Sequence, residues 1–99
     1  MEAFVKFEVF DTIHDREEVL ALRQAVGKQM QHIQQSGKVK ELRVFSDARG
    51  GFMLVDIDSP QELFELFGAA LIDHFHIETH PVITAEDLAE FFERDAAAG

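Results

Sequence analysis

The apolar residues of this chain keep two periods in turn, and the order in which they do so leaves few folds open. Residues 2–10, EAFVKFEVF, alternate: Ala3, Val5, Phe7 and Val9 form one face, and Phe4, Lys6, Glu8 and Phe10 the other. That is a strand with one fully apolar side. From Asp15 the spacing changes. Val19, Leu22, Val26, Met30 and Ile33 recur as one helical stripe, with Asp15 as cap, Glu18 three residues on, and Gly37 as the left-handed stop. VKELRVFS (39–46) and FMLVDI (52–57) alternate again on either side of the turn residues DARGG (47–51), which predicts a hairpin. SPQE at 59–62 opens a second helix: Ser59 caps, Pro60 takes the first helical position and Glu62 completes the capping box. This helix is expected to run through ELFELFG and stop near Gly68. LIDHFHIETH then reads as a fourth strand, closed by Pro81. Thr84 caps a short last helix, AEDLAEFFERD, with Leu88, Phe91 and Phe92 on one side, and AAAG reads as a frayed tail.

The order is strand, helix, strand, strand, helix, strand. It is the split βαβ pattern of α+β, ferredoxin-like βαββαβ folds. The expected sheet is antiparallel and four-stranded, in spatial order 4-1-3-2, with both helices on one face. Residues 1–83 would form the α+β protomer, and residues 84–99 a C-terminal helix and tail of the same domain. A chain of 99 residues is one domain, and one so small gains from oligomerisation.

Charge and composition narrow the function. A net charge of −10 repels a phosphate backbone and an anionic bilayer, so neither nucleic acid nor membrane is an expected partner. Cysteine is absent, which removes disulfides, thiolate metal sites and Cys nucleophiles. No apolar run reaches the length of a membrane span, and the first residues lack the basic start of a signal peptide. The expectation is a soluble, cytoplasmic protein.

The strand pattern assigns the two faces of the sheet. Ala3, Val5, Phe7, Val9, Leu42, Val44, Met53, Val55, Ile57, Phe75 and Ile77 should pack under the helices. The other face should hold Phe4, Lys6, Glu8, Phe10, Glu41, Arg43, Phe45, Phe52, Leu54, Asp56, His74, His76, Glu78 and His80. It mixes large apolar side chains with ionisable ones. A face of that kind marks an interface or a ligand site.

The histidine row HFHIETH admits three readings. Residues two apart on a strand are roughly 6.5 Å apart, so His74 to His80 spans roughly 20 Å and cannot serve one metal ion. His74 and His76 could chelate with Glu8 as a third ligand, but the charge of Lys6 opposes a cation there, and no metal is assigned. The row could also be ordinary polar residues bonded across strands. In the catalytic reading, His76 or Glu8 moves a proton, because a His or carboxylate in an apolar pocket has a tunable pKa. Lys6 would join them, and Lys6 and Arg43 would hold a carboxylate or stabilise an enolate. Phe4, Phe45, Phe52 and Leu54 would line the site, with Asp56 and His74 beside the substrate.

GKVKELRVFSDARGGFMLVDIDSPQELFELF, followed by IETHPVI, resembles the muconolactone isomerase family of the dimeric α+β barrels. Asp56, Ser59, Glu62, Leu63 and His80-Pro81 occupy the places of that family's hairpin, Ser-initiated helix and His-Pro-type strand end. The similarity covers roughly half the chain, and its motifs are structural. It implies a ferredoxin-like protomer, sheet-to-sheet dimers or larger rings, and a cofactor-free proton shift in a small lactone or other carbonyl compound. GAALIDHFH departs from the family's proline-rich, aromatic segment, and Val44 or Phe45 stands where the family has an aromatic residue. Those departures keep a second reading open, a non-catalytic ligand-binding or oligomerisation module, and leave a His/Glu metal protein as a third.

Overall fold

The computed structural model describes residues 1–12 and 14–98. The elements follow in the order β1 (Glu2–Val9), α1 (Arg16–Gln35), β2 (Val39–Val44), β3 (Gly50–Asp56), α2 (Glu62–Ile72), β4 (Phe75–Pro81) and α3 (Ala85–Ala98). The four strands form one antiparallel sheet in the order β2-β3-β1-β4, the expected ferredoxin-like arrangement.

One face of the sheet carries the core. Ala3, Val5, Phe7, Met53, Val55, Ile57 and Phe75 are buried against Ile33 of α1 and Leu66, Phe67 and Leu71 of α2. Leu22, Val26 and Met30 extend the α1 stripe over them. Asp15 caps α1 by accepting from the Glu18 amide at 3.2 Å, and Gly37, at φ 74°, takes the left-handed position that ends it. Val44 departs from the expected core face. It lies at the free edge strand opposite Gly51, which offers it no side chain, and is 64% exposed.

The second helix departs at both ends. The Ser59 carbonyl, not its hydroxyl, accepts from Glu62, and the next two amides bond three residues back, so Ser59–Gln61 form a tight turn before α2. Glu62 does reach back, but to the amide of Asp58, at 2.7 Å. It also meets Lys38 at 2.9 Å, which ties the start of β2 to the start of α2. The Asp58 amide first and Lys38 second hold the Glu62 carboxyl below the usual carboxylate range. Its hydrogen bond in turn holds the Lys38 ammonium above the usual lysine range.

At the other end, Gly68 does adopt a left-handed φ of 64°, as a helix stop would, yet the helix resumes beyond it through Ile72. The Gln29 side chain donates to the Leu66 carbonyl at 2.5 Å, which satisfies a group exposed by the kink. Ala69, Ala70 and Leu71 favour helix, and Leu71 is fully buried. β4 therefore starts at Phe75, four residues later than expected.

Thr84 and Asp87 cap α3 reciprocally: Thr84 Oγ1 accepts from the Asp87 amide at 3.0 Å, and an Asp87 carboxylate oxygen from the Thr84 amide at 3.3 Å. The helix includes Ala96–Ala98, where a frayed tail was expected; Gly99 lies outside the described residues. No residue of α3 is buried. The chain measures 60 × 25 × 22 Å, because α3 projects from the body.

Candidate functional site

The open face of the sheet is organised in rungs. Arg43, Phe52, Lys6 and Glu78 form the central one. Glu41, Leu54, Phe4 and His80 form the next toward the start of β1. On its other side stand Gly50, Glu8 and His76. Gly50 has no side chain, so nothing on the β3 side crowds Glu8 or His76.

Lys6, Glu8 and His76, the three residues expected to carry chemistry, come together here. The Lys6 ammonium lies 3.9 Å from a Glu8 carboxylate oxygen. Phe10 sets its ring edge-on to the His76 imidazole at 4.5 Å between centroids, which limits where the imidazole can turn. With Asp11, Glu78, Val9 and Ile77 these residues surround an open cavity of about 390 Å³. It holds three carboxylates, one ammonium and one imidazole. Beside it, Phe4 and Phe52 stack at 5.5 Å, both half-buried, and Leu54 continues this apolar strip.

Four expected site residues stand elsewhere. His74 is not on the open face. Because α2 runs on to Ile72, His74 falls in the turn before β4, where its Nδ1 sits 2.9 Å from the Ala70 carbonyl and its ring faces α1 beside Ala21, Leu22 and Ala25. It therefore cannot pair with His76 on a ligand. Asp56 pairs with Glu2, six residues along β1 from Glu8, which is roughly 20 Å away on an extended strand. Arg43 lies two strands from Lys6, roughly 10 Å across the sheet, and its guanidinium meets Glu41 at 2.9 Å. Phe45 lies past the end of β2, with its amide bonded to the Gly50 carbonyl. Among the described residues, no three His, Asp or Glu side chains gather as metal ligands do.

Residues 3–96 match a family described as a domain of unknown function, DUF3303. The chain belongs to this family. No curated protein matches the sequence. Among solved structures, a crystal structure of muconolactone isomerase superposes with a TM-score of 0.68 and 17% identity, covering 85% of this chain and 90% of that one. At that identity the likeness is one of fold, and it bears out the ferredoxin-like, muconolactone isomerase-like fold that the sequence resemblance implied.

The DUF3303 chain has a second cavity, of about 320 Å³, on the helix side of the same sheet end. Its lining mixes apolar residues with Arg23 of α1 and with Asp47 and Arg49 of the β2–β3 turn. Neither arginine stood out in the sequence, because nothing local links α1 to the turn. The readable signal was Gly27, a glycine inside a helix with no cap to make.

No helix of the described chain is long and apolar enough to cross a membrane.

Proposed function

We propose that this DUF3303 chain is a cofactor-free small-molecule enzyme that shifts a proton in a small lactone or other carbonyl compound. The register that sets Glu8 opposite His76, with Lys6 beside Glu8, carries the reading. The fold shared with muconolactone isomerase supports it. Glu8 or His76 takes a proton from the carbon next to the carbonyl. The electron pair moves to the carbonyl oxygen, and Lys6 stabilises the enolate. Return of the proton at another carbon completes an isomerisation with no oxidant or reductant. Phe4, Phe52 and Leu54 supply an apolar wall for the substrate.

The cluster is open to water in one chain, and such chemistry needs a closed site. We take the working form to be a homodimer or larger homo-oligomer in which a second copy covers the open face. A chain without cysteine fits the cytoplasm.

The test is proton exchange into deuterated water, followed by NMR on muconolactone and on the simpler α-angelica lactone. Catalysed deuterium incorporation that falls about a hundredfold or more in Glu8→Gln or His76→Ala supports the reading. No catalysed exchange by the native oligomer overturns it for lactones.

One observation favours a second reading, a non-catalytic assembly module. Leu88, Phe91 and Phe92 of α3 are 42%, 54% and 60% exposed and find no cover in their own chain. A chain whose face and arm serve only assembly would oligomerise and show no exchange.

A further inference from the structure

We propose that the cavity between α1 and the β2–β3 turn binds a small organic monoanion, an apolar body ending in one carboxylate. This site lies on the opposite face of the sheet from Lys6, Glu8 and His76, and the inference does not depend on their role.

Val9 and Phe75 form the floor, and Val19, Leu22 and Val26 the wall. At about 320 Å³ the space falls in the range of small-ligand pockets. Its charged lining residues are Arg23, Arg49 and Asp47. Lys6, Lys38, Lys40 and Arg43 all have acidic partners within 4.0 Å. Arg23 and Arg49 have none among the described residues; Arg16, Lys28 and Arg94 have none either, and what sets Arg23 and Arg49 apart is that both line one cavity. Asp47 already accepts from the Arg49 amide at 3.0 Å. Two guanidinium groups and one carboxylate leave the lining with one positive charge. That suits a carboxylate, which a guanidinium can grip with two parallel hydrogen bonds, better than a phosphate dianion.

Two local irregularities face this same space. Gly27 sits inside α1, where glycine is among the least favourable residues. Packing does not require it, because a Cβ there would meet nothing within 4 Å. Ala48 has φ 61°, a left-handed conformation unusual for a residue with a side chain. The turn is held there by the Ala48 amide bonded to the Phe45 carbonyl at 2.9 Å, and by the Val9 amide bonded to the Arg49 carbonyl at 2.8 Å. Local rules broken on two elements that meet at one cavity mark a site kept for binding. Gly27 leaves its part of the lining without a side chain, and the left-handed turn brings Arg49 to the cavity that Arg23 also lines.

The test is a titration of the full ¹⁵N-labelled chain with 2-naphthoate and with its neutral counterpart 2-naphthamide. 2-Naphthoate should give saturable shifts at the amides of Val9, Val26, Gly27, Ala48 and Arg49, and 2-naphthamide should bind more weakly. The Arg23→Ala/Arg49→Ala variant should lose about tenfold in affinity, and Gly27→Leu should lose binding, both with unchanged circular dichroism. Equal binding of the amide and the acid would overturn the proposal. So would an unaffected arginine variant, shifts confined to the open sheet face, or no saturable shift at all.

Discussion

Glu8 and His76 stand opposite each other on neighbouring antiparallel strands, with Gly50 on the far side of Glu8 leaving that flank free of side chain. In the proposed reaction one of them would hold or replenish the proton that the other moves. Glu8→Gln and His76→Ala should each cut lactone proton exchange about a hundredfold or more, and the double variant should be little worse than either alone. Both side chains are exposed, so the fold should survive. Multiplying losses in the double variant would mean that the two act separately.

Ion pairing at the start of α2 gives a pH dependence with a fixed sign. The Glu62 carboxyl is lowered below its ordinary value of 4.5 by the Asp58 amide and Lys38. Its contribution is fully present above that value and is lost as pH falls through the lower, folded one. Lys38 is raised above 10.5, so its share holds below that pH and disappears as pH rises through the folded value. Urea unfolding should therefore find Glu62→Gln less stable than the native chain at pH 7, with the gap closing in acid. A gap of constant size across the acid limb would show that the carboxylate's charge is irrelevant.

Much of this fold was legible because its signals are local and agree with one another. Alternation in β1, the Asp15 cap and Gly37 all held, as did the strand order; the register that brings Lys6, Glu8 and His76 to one cavity could not be read from the pattern. The errors at the end of α2 and at His74 share one source. Gly68 carries the backbone signature of a stop, but Gln29, 39 residues earlier, supplies the hydrogen bond that lets the helix continue. A contact so distant leaves no mark in a local pattern, and missing it moved His74 to the wrong face. Asp56 and Arg43 share the face of Glu8 but not its place, because alternation tells which side a residue faces and not how far apart two residues lie.

Leu71 tests the same helix extension energetically. It lies beyond Gly68, on the segment expected to be strand, and is fully buried between α2 and the sheet. Leu71→Ala should destabilise the chain by about 2–5 kcal/mol in urea unfolding. A loss below about 1 kcal/mol would mean the segment past the kink contributes little, as frayed surface substitutions do.

Helix α3 offers the sharpest test of assembly. A helix of 14 residues is marginal on its own in water, and here no contact with its own body buries any of it. Its Leu88, Phe91 and Phe92 recur at the three- and four-residue spacing of one face, and the rings of Phe91 and Phe92 lie tilted against each other at 6.0 Å, both still more than half exposed. Burial of that face must come from another molecule, and a second copy is always at hand. Leu88→Ser/Phe91→Ser/Phe92→Ser should lower the oligomeric state in sedimentation velocity at fixed concentration. It should also strip hydrogen-exchange protection from α3 while the amides of β1 and β3 keep theirs. The reverse pattern, an intact oligomer with an unprotected α3, would leave the open face of the sheet as the interface that holds the copies together, with Phe4, Phe52 and Leu54 at its centre. Phe52→Ser would then dissociate the oligomer where the α3 substitutions do not.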